Sequence, residues 1–289
     1  MSLISKIFYP ITAPIKFIQN NFKTVLFLTI VFYFISNSDT KSLQKPNLAI
    51  INLSGAIMSA DDVLEKIDKA KQDTHIKGVL FKVNSPGGSV PPSVEIAYAI
   101  KELNQIKPVV AYASGIMASG SYYASIWANK IIANPGSMIG SIGVIMQSVD
   151  ASELLNKIGV KPQTVKIGLY KEAGTPTRQW SKAEKQELQK VIKSTYDMFV
   201  KDVADARGLK IKNKDDFANA HIFTSIQAKN VGLVDKVATI SDAKMELINI
   251  SGVKKPIWQK EDKFDKIMEK IIQGTILNIS NSLNGLMAY

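Results

Sequence analysis

The stretch that decides the predicted fold runs from Gly78 to Gly88 and reads GVLFKVNSPGG. Its first half is rich in aliphatic residues, which predicts a buried strand, and its Pro-Gly-Gly ending predicts a tight turn. Residues 93–103 then predict a helix. A strand, a turn and a helix in this order are typical of a parallel crossover unit, in which the helix packs on the sheet.

The same order of elements recurs on both sides of this unit. Residues 48–57 predict a buried strand, and residues 60–72 predict a helix with Val63, Ile67 and Ala70 on one face. Further strands are predicted at 108–113, 130–133, 141–145 and 163–167, and further helices at 119–127, 152–158, 181–207 and 223–232. Repeated units of this kind predict an α/β fold with a parallel sheet covered by helices.

The chain shows no internal repeat, so we predict three parts. Residues 1–45 form an N-terminal segment with a membrane anchor, residues 46–252 form one folded domain, and residues 253–289 form a helical tail. Apolar residues recur near helical spacing in the tail from residue 263 onward. The tail therefore packs on the protein itself or on a neighbouring copy, or it lies on a membrane surface as an amphipathic helix.

The predicted anchor is the uncharged stretch VLFLTIVFYFI at residues 25–35. It is shorter than the roughly twenty residues of a usual spanning helix, but its polar neighbours can extend the helix into the interfaces. A cleaved secretory signal is the alternative; no clear small-x-small cleavage site follows, so we favour an uncleaved anchor. Lys6, Lys16 and Lys23 precede it, which predicts a cytoplasmic N-terminus and a folded domain outside the cell membrane.

Composition excludes several classes of protein. The chain has 289 residues and is 46% hydrophobic, so it is not disordered. Its net charge of +11 is spread along the sequence, without a stripe of basic and stacking aromatic residues, so we predict no nucleic-acid partner. An anionic membrane surface suits this charge better. No cluster of residues at metal-ligand spacing is present, and we predict neither a metal nor a cofactor.

Two segments together suggest acyl-transfer chemistry. Ser119 lies in the run ASGSYY at 118–123, and the glycine turn at 84–88 precedes it in the chain. A helix that starts at Ser119 points its first N–H groups at a developing oxyanion, and Gly88 allows close approach of the backbone. Taken alone, the glycine turn is equally typical of an ordinary strand-to-helix turn. Ser119 taken alone is equally typical of a small residue at a helix start.

A serine nucleophile needs a base, and the candidates are few. The chain has no cysteine and two histidines. His75 lies in a polar loop and His221 at a predicted strand edge, where structural roles are the simpler interpretation. A lysine can act as the base when burial lowers its pKa, because desolvation disfavours the ammonium form.

Five motifs, in chain order, resemble the signal peptide peptidase A family. They are VNSPGG at 83–88, ASGIMASGSYYA at 113–124, PGSMIGSIGV at 135–144, KIGLYK at 166–171 and FTSIQAKNVGLVD at 223–235. The sequence is similar to the short, single-domain form of that family. The resemblance implies a Clp/crotonase-like core of repeated β-β-α units and a serine-lysine catalytic pair.

The resemblance also implies site residues. The nucleophile corresponds to Ser119, the lysine base to Lys171, and the serine that orients the lysine to Ser141. The backbone N–H groups of the oxyanion hole correspond to Gly88 and Gly120.

The sequence departs from the family pattern at two positions near these residues. Ser121 stands where the family commonly has a glycine, and Glu172 stands where an aspartate or serine is usual after the lysine.

The function implied by the resemblance is that of a membrane-anchored serine endopeptidase of the bacterial inner membrane. Its substrates would be remnant signal peptides and other unfolded chains, and its subunits would form a ring in which neighbours supply serine and lysine. Within one chain we then expect Lys171 to lie beyond hydrogen-bond reach of Ser119. The alternatives are a crotonase-like acyl-CoA enzyme, which a membrane anchor disfavours, and a noncatalytic membrane scaffold.

Overall fold

A computed structural model describes residues 17–36 and 45–259 of the chain. The chain divides into two compact units, one that ends at Lys45 and one that begins at Pro46. The prediction of an amphipathic tail from residue 263 onward concerns residues outside the described ones.

In the first unit, the structure describes helix α1 (Phe22–Ser36), whose sequence FKTVLFLTIVFYFIS is mostly apolar, with the charged Lys23 near its start. Its aromatic side chains Phe27 and Phe32 are 64% and 71% exposed. None of the described helices combines the length and the apolarity that crossing a membrane requires. The predicted anchor coincides with α1, and its insertion in a membrane stays a prediction.

The second unit is built on one seven-stranded sheet. Its strands are β1 (Leu48–Ser54), β2 (Gly78–Ser85), β3 (Val109–Ala118), β4 (Lys130–Ala133), β5 (Met138–Gly140), β6 (Ile222–Thr224) and β7 (Lys236–Val237). Strands β1, β2, β3, β4 and β7 lie side by side in that order and are parallel. Strand β5 pairs in parallel with the end of β3, and β6 runs antiparallel to β5.

Helices connect and cover these strands. They are α2 (Asp61–Gln72), α3 (Val90–Ile106), α4 (Gly120–Ser125), α5 (Ser152–Lys157), α6 (Lys182–Arg207), α7 (Lys214–Phe217), α8 (Ser225–Asn230) and α9 (Ile240–Ser251), with a 3-10 turn at Ile211–Asn213. The prediction of an α/β fold with a parallel sheet is confirmed. Parallel neighbours require such crossovers, because a tight turn can join only antiparallel strands.

Both faces of the sheet are buried. The predicted apolar face of α2, with Val63, Ile67 and Ala70, packs in the larger core together with residues of α3, α4 and α6. On the other face, α9 buries Leu247. Phe81 of β2 is wholly buried in the larger core, and truncating such a side chain to alanine typically costs about 3–5 kcal/mol.

Three strand predictions were wrong in extent, place or existence. The strand predicted at 141–145 is absent: β5 ends just before it, at Gly140, because the positive φ of Ser141 interrupts the extended backbone. The strand predicted to end at residue 113 continues as β3 to Ala118, where it pairs with β5. Residues 163–167 form no strand, and the side chains of Val165 and Ile167 are almost fully exposed. Strands need backbone partners, and in the described part of the chain no strand pairs with this segment.

The last described residues stay attached to the sheet. Helix α9 ends at Ser251, and the next residue, Gly252, caps it with a left-handed backbone of φ 67°. The Asn47 N–H then donates to the Ile257 carbonyl oxygen at 2.8 Å, and Trp258 forms a parallel bridge with Leu48. Residues beyond 252 therefore contact the edge formed by β1.

Candidate active site

Ser119 lies in the single-residue turn between β3 and α4. Its backbone has φ of 52° and ψ of −125°, a conformation that L-residues rarely adopt. Two hydrogen bonds hold it there: the Ser119 N–H donates to the Gly140 carbonyl oxygen at 2.8 Å, and the Tyr123 N–H donates to the Ser119 carbonyl oxygen at 3.0 Å. Strain of this kind persists where the surrounding structure enforces it, and it is frequent at active sites.

The glycine turn after β2 contacts the Ser119 turn directly. A Cβ atom on Gly87 would lie 2.6 Å from the Gly120 nitrogen, and a Cβ atom on Gly120 would lie 3.3 Å from the Gly88 nitrogen. A Cβ atom on Gly88 would lie 2.2 Å from the Ile57 carbonyl oxygen. Side chains at Gly87 and Gly88 would collide with backbone atoms, and a Cβ atom on Gly120 would lie 2.3 Å from the Ser93 hydroxyl oxygen, so glycine suits all three positions.

The contact brings two free donors together. Within the described residues, neither the Gly88 N–H nor the Gly120 N–H donates a hydrogen bond. Both glycines line one cavity of about 80 Å³ together with Ser119. Two unpaired N–H groups beside a serine hydroxyl are the arrangement that stabilises an oxyanion in acyl transfer.

The rest of this cavity is largely apolar. Its other lining residues are Val90, Ser93, Val94, Tyr123, Gly143, Val144, Ile145, Thr195, Met198 and Phe199. The Tyr123 hydroxyl donates to the Asp202 carboxylate, and burial raises the pKa of Tyr123, with a further contribution from Asp202. The tyrosine therefore stays neutral, and the cavity suits an apolar side chain.

A second, larger cavity of about 670 Å³ adjoins the first and shares Gly143 and Val144 with it. Its far wall consists of side chains of α6, including Gln186, Gln189 and Tyr196. In the described structure the N–H groups of Gly143 and Val144 donate no hydrogen bond. The two cavities thus form a groove with free backbone donors along it, which suits an extended peptide.

Ser141 lies close to Ser119 through the backbone. Gly140, which accepts the Ser119 N–H, directly precedes it, and the Ser141 N–H donates to the His221 carbonyl oxygen at 2.7 Å. Ser141 also has a positive φ, of 50°. The structure therefore brings together four predicted site residues, namely Ser119, Ser141, Gly88 and Gly120.

Lys171 is not part of this group. It is exposed, it lies in a segment without helix or strand, and it does not line the cavity at Ser119. Among the described residues, its ammonium group and the Ser119 hydroxyl make no hydrogen bond, to each other or to any other group. In the described part of a single chain, the predicted base is therefore not hydrogen-bonded to the predicted nucleophile and does not line its cavity.

An ionic network holds the segment that carries Lys171. The Glu172 carboxylate accepts from Lys166 at 2.9 Å and from Arg178 at 3.0 Å. Hydrogen bonds from Lys166 and then from Arg178 lower the pKa of Glu172 to about 2. Arg178 also bonds Glu184, the predicted capping-box residue of α6, and the bond from Arg178 is the main cause that lowers the pKa of Glu184 to about 2.

Sequence reasoning missed this network. The capping box at residues 181–184 was visible as a pattern, and the structure confirms it. The partnership of Arg178 with two acids six residues away on either side has no periodic signature, because it depends on how the loop folds back on itself.

In the part of the chain that the structure describes, neither histidine side chain makes a hydrogen bond to the Ser119 hydroxyl, which a general base requires. His75 is exposed, and its Nδ1 lies 3.0 Å from Asp73. His221 contributes its backbone carbonyl to Ser141, and its ring lies beside Phe223. Neither imidazole lines the cavity at Ser119.

Comparison with known proteins gives the family. The sequence model described as Peptidase family S49 matches residues 101–254, more than half of the chain. The chain belongs to peptidase family S49. The predicted family and the predicted class of enzyme are confirmed.

Several relatives match well over half of this chain. A protein named as a protease from Methanocaldococcus jannaschii is 43% identical over 66% of this chain and 61% of its own length. One from Synechocystis is 35% identical over 74% of this chain and 77% of its own length. A protein named as signal peptide peptidase SppA from Enterococcus faecium is 38% identical over 62% of this chain and 53% of its own length.

The chain thus spans from about half to about three quarters of the length of these relatives. A solved structure of a membrane-bound stomatin-specific protease overlaps 76% of the chain with a TM-score of 0.49 at 16% identity, which is too low to carry an argument. The matched S49 region contains Ser119, Ser141 and Lys171, whereas Gly88 precedes it.

Proposed function

We propose that this S49 protein is a serine endopeptidase with Ser119 as the nucleophile and Lys171 as the general base. The observation that carries the proposal is the pair of unpaired N–H groups, of Gly88 and Gly120, beside Ser119. A serine hydroxyl in an apolar cavity with two convergent donors has the equipment for acylation once a base reaches it.

The reaction uses each of these groups in turn. The Ser119 hydroxyl loses its proton to the neutral Lys171 amine as its oxygen attacks the peptide carbonyl carbon. The carbonyl oxygen becomes an oxyanion that accepts from the Gly88 and Gly120 N–H groups. Lys171 then returns the proton to the leaving amine, and water hydrolyses the acyl-enzyme by the same route. Ser141 orients the lysine amine through its hydroxyl.

We propose that Lys171 acts on Ser119 of a neighbouring copy in a ring of subunits. Lys171 is exposed, and within the described ranges its ammonium group makes no hydrogen bond. The segment before it exposes large apolar side chains, with Val165 and Ile167 at 103% and 96% exposure and Leu169 at 68%. Exposed apolar surface of this kind marks interaction sites, and a closed ring lets every copy both give and receive a lysine.

We propose that α1 anchors the protein in the bacterial cell membrane, with the N-terminus in the cytoplasm and the catalytic unit outside. The apolar sequence of α1 and the lysines before it support this orientation. Membrane fractionation after a high-salt and alkaline wash tests the anchor, and external protease digestion of spheroplasts tests the side. Release of the protein by the wash would contradict the anchor. Full protection from the protease would contradict the external position of the catalytic unit.

The substrates proposed are remnant signal peptides and other unfolded chains. The groove formed by the two cavities is open and offers the free N–H groups of Gly143 and Val144, which suit an extended main chain of any sequence. The apolar cavity at Ser119 suits an apolar side chain next to the cleaved bond. Unfolded apolar segments meet both requirements.

Mixing of inactive variants tests the shared site. Ser119→Ala and Lys171→Ala should each abolish cleavage of an unfolded substrate, because each removes a group that acylation requires. Refolded together at equal amounts, they should recover about a quarter of the wild-type activity. In a randomly mixed ring, about half of the sites have an intact serine, and about half of those have a neighbour with an intact lysine.

The matched control mixes Ser119→Ala with the double variant Ser119→Ala, Lys171→Ala, in which no complete site can form. It should show no recovery. An absence of recovery in verified mixed oligomers of the first pair would show that each chain supplies its own base. Activity that survives Lys171→Ala would exclude the lysine altogether.

A further inference from the structure

The hydroxyl of Ser121 joins the two strands that lead into the candidate oxyanion hole. Ser121 is the second residue of α4 and is wholly buried. Its hydroxyl donates to the Ser85 carbonyl oxygen at 2.6 Å and accepts from the Ala118 N–H at 2.9 Å. Ser85 is the last residue of β2, and Ala118 is the last residue of β3.

The pairing of these strands is irregular just before this point. The register runs regularly up to the pair Val83 and Ala113, and then jumps to the pair Ser85 and Met117. A shift of this kind marks a bulge, which weakens the backbone ladder locally. The Ser121 hydroxyl therefore joins the strands where their own ladder is least regular.

Each of the two strand ends leads into one half of the candidate oxyanion hole. The chain passes from Ser85 to Gly88 on one side, and from Ala118 to Gly120 on the other. The distance between the two strand ends therefore contributes to the distance between the two free N–H groups, together with the hydrogen bonds of Ile57 to Gly87 and Ser89. The Ser121 side chain bridges the ends themselves, and one residue earlier in β2 the Asn84 side chain accepts the Ile116 N–H at 3.0 Å.

We propose that Ser121 is a positioning residue that sets the spacing of the Gly88 and Gly120 N–H groups. The proposal rests on the proposed function, in which those groups bind the oxyanion. The Ser121 hydroxyl also lies 2.9 Å from the Ala118 carbonyl oxygen, so three backbone groups surround it. No solvent reaches it, and the bridge is held in one geometry.

Substitution by alanine and by glycine separates the bridging role from a packing role. Ser121→Ala removes the hydroxyl but keeps Cβ, which leaves the Ala118 N–H and the Ser85 carbonyl oxygen without this bridge. Ser121→Gly also removes Cβ and makes room for a water molecule with the same polar partners. A bridging role predicts that glycine is the milder change, whereas packing and helix propensity predict that it is the harsher one.

The experiment measures kcat and KM with a peptide substrate, together with inhibition by a peptide aldehyde that forms a tetrahedral adduct on Ser119. For Ser121→Ala we expect kcat to fall about 10- to 100-fold with KM within about threefold, because misplaced donors affect the transition state more than the substrate. Aldehyde affinity should fall in parallel. Ser121→Gly should stay within about fivefold of the wild-type kcat.

Ser125→Ala is the matched control, because Ser125 is wholly buried in the same helix. Its hydroxyl donates only within α4, to the Ser121 carbonyl oxygen at 2.8 Å. We expect its kcat to match the wild type. Should Ser121→Ala not fold, Ser121→Cys keeps a bridging side chain with longer contacts and should lower kcat about fivefold.

Three outcomes would overturn the inference. The first is an unchanged kcat in folded Ser121→Ala, or in Ser121→Cys if the alanine variant does not fold. The second is a loss of kcat in Ser125→Ala equal to that in Ser121→Ala. The third is a larger loss of kcat in Ser121→Gly than in Ser121→Ala. In each case the wild type would still show turnover that depends on Ser119. A wild type without such turnover would instead overturn the proposed function and this inference with it.

Discussion

Arg178 donates two hydrogen bonds to the carboxylate of Glu184, at 3.0 and 2.7 Å. Glu184 is 3% exposed and also accepts the Ser181 N–H, which caps α6. The same guanidinium group reaches the carboxylate of Glu172, the residue after Lys171. One arginine therefore ties the segment with the proposed base to the start of α6.

Arg178→Gln should lower the midpoint of thermal unfolding and reduce kcat about tenfold, because it leaves the Glu184 carboxylate buried without its cation and frees the Lys171 segment. Arg178→Lys should recover part of the stability only, since an ammonium group cannot make the two-pronged contact. Calorimetry and steady-state kinetics on the three proteins check both effects.

Lys69→Gln is the control for this comparison. Its ammonium group pairs with the carboxylate of Glu65 on the surface of α2, and neither residue lines the two cavities at the candidate site. Surface pairs of this kind contribute little, so both the unfolding midpoint and kcat should stay near the wild type. An Arg178→Gln protein that behaves like Lys69→Gln would contradict the anchoring role.

The pH dependence of stability should show the same network. The folded-state pKa of Glu184 is lowered from 4.5 to about 2, chiefly by Arg178, so its stabilising contribution is present above about pH 4.5 and is lost as the pH falls towards 2. The stability difference between the wild type and Glu184→Gln should therefore be constant near neutral pH and shrink below about pH 4.5. Urea unfolding across this range measures it.

The pH at which this difference shrinks reports the folded-state pKa of Glu184. A difference for Glu184→Gln that stayed the same from neutral pH to about pH 3 would contradict the depressed pKa.

Much of the fold and part of the site could be predicted from local patterns. The buried face of α2 and the turn with Ser119 depend on short-range periodicity and glycine placement, which a sequence displays directly. The run at 163–167 also has the composition of a strand, yet strands form only where a partner strand is available. The bridge from Ser121 to Ser85 depends on distant backbone groups, so no local pattern could reveal it.

Both histidines should prove dispensable for catalysis. His221 supports Ser141 through its backbone carbonyl, which His221→Ala retains, and the His75 side chain contacts Asp73 on the exposed surface. We expect both alanine variants to keep kcat/KM within about twofold of the wild type, as for most surface substitutions. A loss of activity in His221→Ala as large as in Lys171→Ala would point to an imidazole base instead.

Gly88→Ala should reduce kcat by about 100-fold or more, the typical cost of losing one oxyanion donor. The added Cβ would lie 2.2 Å from the Ile57 carbonyl oxygen, so the turn must shift and carry its N–H away from the cavity. Gly136→Ala is the control, since its Cβ would meet only Asn134 Oδ1, at 3.6 Å. Labelling of Ser119 by a fluorophosphonate should slow in Gly88→Ala alone. Equal labelling and turnover in both variants would show that the Gly88 N–H does not serve the reaction.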